Sequence, residues 1–101
     1  MAIIIRFQDI NGKYFKEILS QNGLLDRILP IGDSSFHLLG WVDPYSNTIF
    51  NSNQMYPLLS ELDRLEKSLS GNEARDLLAR IREIAAECRD KPQTYLRFRG
   101  D

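Results

Sequence analysis

Two apolar stripes between residues 55 and 88 constrain this chain more than any other feature. Met55, Leu58, Leu59, Leu62, Leu65 and Leu69 recur at the three- and four-residue spacing of one helix face, and Ala74, Leu77, Leu78, Ile81, Ile84, Ala85 and Cys88 repeat the pattern. Only Ser70-Gly71-Asn72 joins them, so the two helices must fold back antiparallel. Ser70 with Glu73 three residues on predicts a capping box at the start of the second helix. Each Leu or Ile that such a hairpin buries contributes roughly 1.5 to 3 kcal/mol, and the face needs a second layer to be buried against.

The termini supply that layer. Ile3, Ile5 and Phe7 alternate with Ile4, Arg6 and Gln8, the period of two of a strand, and AIIIRFQ is rich enough in isoleucine for a central position. Near the other end, TYLRFRG sets Thr94, Leu96 and Phe98 against Tyr95, Arg97 and Arg99 after Lys91-Pro92 stops the helix. A closing strand needs a partner, and the first strand is the natural one.

Between these elements the signals compete. Asn11-Gly12 suits a hairpin turn, whereas Phe15, Ile18 and Leu19 follow helical spacing and Asn22-Gly23 looks like a helix stop, so a short helix is expected there. Leu24, Leu25, Ile28 and Leu29 predict one or two helical turns, ended by Pro30 and the Gly-Asp-Ser-Ser cluster. FHLLGWV and TIF favour strands on either side of DPYSN, where Asp43-Pro44 meets the demands of a type I turn. Asn51 and Gln54 then predict a capping box ahead of Met55. The fold expected is α+β in a single domain over residues 1–101: a three- or four-stranded sheet, with N- and C-terminal strands paired and a central β-hairpin, packed by the antiparallel helical hairpin.

Chemistry is sparse along this frame. The six glycines are scattered and form no phosphate loop, and the one histidine, His37, reads as a structural or exposed residue without a nucleophile and acid to serve. Cys88 falls on the helical stripe and reads as a small buried hydrophobe. With one cysteine no internal disulfide forms, and a reducing cytoplasm is the compartment expected. Asp63 with Lys67, and Asp76 with Arg80, have the spacing of solvated helix pairs. The start MAIIIRF lacks the pattern of a signal peptide, and no apolar run reaches the roughly 20 residues of a membrane span. Neither an enzyme nor a cofactor or metal protein is expected.

The charge is uneven although the net is only −1. Residues 28–63 hold four acids and no Lys or Arg, whereas residues 1–27 hold three acids and four bases, and residues 64–101 hold seven acids and nine bases. A base-free acidic segment suits a basic partner.

Taken together, WVDPYSNTIFNSNQM, the upstream LLDRILPIGD, the helical ELDRL and the terminal CRD and YLRFRGD resemble a group of short bacterial proteins with a DPY turn, a Thr-aliphatic-Phe-Asn segment and following helices. Some of these are similar to immunity proteins of contact-dependent growth inhibition and related polymorphic toxin systems. Many members of that group carry Gly-Asp where this chain has Ser46-Asn47, one acid fewer in the loop. The resemblance implies a cytoplasmic protein that binds and neutralises a cognate toxin C-terminal domain, a nuclease being the expected kind, with no cofactor. On that reading Asp33, Asp43, Glu61 and Asp63 supply charge to the contact, and Tyr45 and Tyr56 supply aromatic anchors. The alternative is a small nucleic-acid-binding module in which Arg6, Arg97, Arg99 and Tyr95 share one sheet face, although the pI near 5.8 argues against a nucleic-acid partner.

Overall fold

The isoleucine run becomes the first of four strands in a computed structural model that describes residues 3–20 and 22–100. Ala2, at the head of the expected first strand, lies outside the described residues. In chain order the elements are β1 (Ile4–Asp9), β2 (Tyr14–Ile18), α1 (Leu24–Ile28), β3 (Asn47–Asn51), α2 (Met55–Ser68), α3 (Asn72–Asp90) and β4 (Thr94–Arg99). A 3-10 turn at Leu39–Trp41 precedes β3, and another at Ser52–Gln54 leads into α2. The strands form one antiparallel sheet in the order β2-β1-β4-β3. The architecture is α+β, and the terminal strands pair as expected, Arg6 opposite Arg97 and Phe7 opposite Leu96.

One face of the sheet is covered. Ile5, Phe7, Ile18, Phe50, Leu96 and Phe98 are buried from the strands, and Phe50 meets Phe98 edge-on at 5.6 Å between ring centroids. Against them lie Met55, Leu58, Leu62 and Leu65 of α2 and every apolar position of the expected α3 stripe, Ala74 through Cys88. Thr94 is buried with Cys88, its hydroxyl donating to the Lys91 carbonyl at 2.5 Å.

Several expectations are corrected. Residues 14–18 form a strand, not a helix. Asp9 organises the turn: its carboxylate accepts from the Asn11 and Lys13 amides at 2.9 and 3.0 Å, and Gly12 takes a φ of 86°. The helical spacing misled because only Ile18 of Phe15, Ile18 and Leu19 is buried, and the edge of β1 offers the backbone a partner that an isolated helical turn lacks. Asn22 and Gly23, both at positive φ, start α1 instead of stopping a helix.

The central hairpin does not form either. FHLLGWV is a loop with a 3-10 turn, and β3 pairs with β4 instead of with a neighbour in sequence. Ser70 does not cap α3, which begins after Gly71 without a side-chain cap. Neither of the expected pairs, Asp63–Lys67 and Asp76–Arg80, closes to an ion pair among the described residues, and Asp63 instead joins a bridge between helices: Arg82 of α3 reaches Asp63 and Glu66 of α2 at 3.1 and 2.6 Å.

Candidate protein-binding surface

The loop from Pro30 to Val42 has no strand partner, so its backbone groups must be satisfied from elsewhere. Glu61 of α2 does this from below. Its Oε1 accepts from the Leu39 amide at 2.9 Å and its Oε2 from the Leu38 amide at 2.9 Å, with the carboxylate buried. Arg64, one helical turn on, holds the loop from the outer side by donating to the Ser35 carbonyl at 2.9 Å, with its guanidinium 4.3 Å from the centre of the Phe36 ring. Within the loop, Gly32 donates to the Gly40 carbonyl and Gly40 to that of Phe36, both at 2.9 Å. A methyl group at Gly40 would stand 2.2 Å from the Asp33 carbonyl oxygen, so glycine is required there.

Glu61 is therefore a structural acid, and its expected place in an exposed contact is corrected. It reads as a surface charge in sequence because Glu is rarely buried without a partner, and its partners here are two amides 22 and 23 residues away.

What the loop presents outward is Trp41, 76% exposed and the most exposed of the large hydrophobic side chains described. Sequence reasoning assigned it no role, because FHLLGWV was expected to be a strand. A lone tryptophan ahead of a polar turn was the signal. Asp33 is exposed beside it: Trp41 and Asp33 line one hollow of about 150 Å³ with Gly32, Ser34 and Gly40. The Ser35 hydroxyl and amide both donate to Asp33 Oδ1, at 2.7 and 2.9 Å, and hold its carboxyl below the usual range, with a smaller contribution from the nearby charge of Arg64.

DPYSN is a turn, as expected. Asp43 Oδ1 accepts from the Tyr45 amide at 2.8 Å, and the Asp43 amide donates to Thr48 Oγ1 at 2.9 Å. The end of the chain braces it: the Gly100 amide donates to the Ser46 carbonyl at 2.7 Å, and a methyl group at Gly100 would lie 2.4 Å from the Pro44 carbonyl. Tyr45 stands out from this braced turn at 69% exposure. The Asn51–Gln54 capping box also forms, each side chain accepting from the other's amide.

Tyr56, in the first turn of α2, is 62% exposed, with the Arg89 guanidinium 6.0 Å from its ring centre. Asp63 is exposed but bridged to Arg82. Of the six expected contact residues, Asp33, Asp43, Tyr45 and Tyr56 thus reach solvent without a side-chain ion pair among the described residues, Asp63 reaches it paired, and Glu61 does not reach it.

The opposite face of the sheet carries the arginines. Register sets Arg6 opposite Arg97, Gln8 opposite Tyr95 and Ile4 opposite Arg99, and Ile49 of β3 lies opposite Arg97. Arg6 is engaged by Glu17 at 2.6 Å and stacks 4.5 Å above Tyr14, and Arg97 donates to Asn47 Oδ1 at 3.1 Å. Arg99 is exposed. His37 is also exposed, and among the described residues no three His, Cys, Asp or Glu side chains gather as a metal site. No described helix is long and apolar enough to cross a membrane.

Fold and surface together define a small α+β domain that holds aromatic and acidic side chains outward on a loop clamped by α2, on a turn braced by the end of the chain, and on α2 itself. No family model, curated protein or solved structure matches the chain.

Proposed function

We propose that this protein is an inhibitor that binds a cognate toxin domain, as immunity proteins of contact-dependent growth inhibition do, and that the toxin is a nuclease with a basic substrate cleft. One observation carries the reading: Trp41, Tyr45 and Tyr56 stand exposed along a stretch that contains acids and no Lys or Arg. Trp and Tyr dominate binding hot spots because they cover much area for little lost rotamer freedom. The loop clamps from Glu61 and Arg64 support it further, since a pre-ordered surface loses less entropy on binding. Acids around such anchors speed the approach of a cationic partner.

The test is co-expression with the toxin domain encoded beside this protein's reading frame. Protection of the cells and a stable complex are expected. If the protein neither binds that domain nor protects against it, the reading fails.

A second reading, a nucleic-acid contact on the sheet face, is favoured by the register that aligns Arg6, Arg97, Arg99 and Tyr95. Two of its three cations are already engaged by Glu17 and Asn47, which leaves a thin electrostatic footprint. A polarisation titration at low salt distinguishes the two: this face predicts binding to single-stranded RNA or DNA that weakens as salt rises, and no binding to either removes it.

A further inference from the structure

We propose that β3 pairs along its open edge with β3 of a second copy of this chain, in an antiparallel two-fold dimer centred on Ile49. The sheet order β2-β1-β4-β3 leaves two edges, and they differ. β2 carries Lys16 and Glu17 and a register shift against β1 at Phe7 and Gln8, devices that keep an edge from pairing with another chain. β3, Asn47-Thr48-Ile49-Phe50-Asn51, has no charge, no proline and no register shift against β4. It is the unguarded edge.

The backbone of β3 is set for a partner. The Gly100 amide donates to the Ser46 carbonyl and antiparallel ladders alternate, so Thr48 and Phe50 direct their amides and carbonyls toward β4 while Asn47, Ile49 and Asn51 direct theirs outward. The Asn51 amide follows this alternation, donating to Gln54 Oε1 instead of to β4. No loop or side chain among the described residues bonds the Ile49 amide or carbonyl. The Ile49 side chain is 52% exposed on the sheet face that the helices leave open, opposite Arg97.

The sequence of the strand selects a second copy as the occupant. Only the antiparallel register centred on Ile49 overlaps all five residues, and it sets Ile49 against its own counterpart, Thr48 against Phe50 and Asn47 against Asn51. The two Ile49 residues then exchange both backbone hydrogen bonds and cover each other's side chains, and no charge faces a like charge. Arg97 and Arg99 stay one strand back, on β4. The Asn51 amide is already engaged, so the paired stretch is short and association in the micromolar range is expected. The contact is made by backbone and by Ile49, goes beyond the inhibitor reading and does not rest on it.

Sedimentation equilibrium of the purified full chain, without any toxin, should show monomer and dimer in exchange. Ile49→Lys sets two cations against each other across the axis and should weaken the dimer about tenfold or more. Ile49→Pro removes the outward amide and no bond to β4, and should act in the same direction. Leu19→Lys changes a similarly exposed apolar residue directly after β2 and should leave the dimer unchanged. Circular dichroism checks that each variant is folded, and where the proline variant is not, the lysine variant decides. Ile49→Cys places two Cα atoms about 5.5 Å apart across the axis and should form an interchain disulfide under mild oxidation, whereas the buried Cys88 should not. A chain that stays monomeric up to about 500 µM, or a dimer as strong in Ile49→Lys as in the wild type, overturns the proposal. Either result leaves the co-expression test untouched.

Discussion

Glu61 holds Leu39 in place: the buried carboxylate of one accepts from the backbone amide of the other at 2.9 Å, across 22 residues of sequence. A helix side chain thereby does for the Pro30–Val42 loop what a neighbouring strand does for β4. Glu61→Ala would leave two amides unsatisfied, and a cost of about 2 to 4 kcal/mol is expected, read from urea unfolding. Glu61→Gln keeps one acceptor and should cost less. In both variants proteolytic nicking should move to residues 30–42, because the loop loses its inner anchor before the core opens. Unchanged cleavage in Glu61→Ala would show that the loop is held by other means.

Gly100 and Gly40 sit where backbone approaches backbone, and the neighbours there cannot swing aside. Gly100→Ala is expected to lose about 1 to 3 kcal/mol by displacing the Pro44 turn, and Gly40→Ala a similar amount by pushing on Asp33. Thermal unfolding measures both. Loss in Gly100→Ala should come with weakened partner binding, since Tyr45 rides on the displaced turn.

Support and contact separate cleanly around DPYSN. Asn51→Ala removes a formed capping box and should cost about 0.5 to 2 kcal/mol, with affinity for the proposed toxin partner nearly unchanged. Tyr45→Ala should do the reverse, raising Kd while the melting temperature holds; Asp33→Lys and Asp43→Lys should also raise Kd, each with some loss of stability because Asp33 Oδ1 accepts from Ser35 and Asp43 Oδ1 from the Tyr45 amide of the turn. Stopped-flow binding should assign the charge reversals to slower association and Tyr45→Ala to faster dissociation. Unchanged affinity in all three would place the interface elsewhere.

Burial pushes the Cys88 thiol above its ordinary range, partly opposed by the Thr94 hydroxyl. An acid whose folded pKa is raised adds stability that is whole below the unfolded value and lost as pH rises through the folded one. Relative to Cys88→Ala, the wild-type protein should therefore lose part of its advantage as pH rises past the ordinary thiol value of about 8.5, measured by urea midpoints. Alkylation of Cys88 by iodoacetamide should be slow in the folded protein and fast in urea. Rapid labelling without denaturant would contradict the buried placement.

How much of this was legible varies with the range of the interaction responsible. Both helices, the two terminal strands, the Asp43-Pro44 turn and the Asn51–Gln54 cap depend on spacing or on partners a few residues apart, and the strands' pairing across the whole chain followed because each needed a partner. Residues 14–18 were misread because Phe15, Ile18 and Leu19 satisfy two periods at once, and only the free edge of β1 decides between them. Of the candidate surface, Tyr45, Tyr56, Asp33 and Asp43 were identifiable by residue type, while Trp41 was hidden by an expected strand and Glu61 was counted on the wrong side of the surface.

By itself the sequence determined an α+β chain with an amphipathic helical hairpin, an isoleucine-rich central strand and an acidic middle third, because periodicity, capping and charge are properties of neighbouring residues. Only the tertiary structure decided that β3 pairs with β4, that FHLLGWV is a clamped loop, and which acids face the solvent. The physical reason is that a buried backbone amide must find an acceptor somewhere, and in this fold the acceptor for Leu38 and Leu39 is a carboxylate that the hydrophobic packing of α2 carries to them from more than 20 residues away.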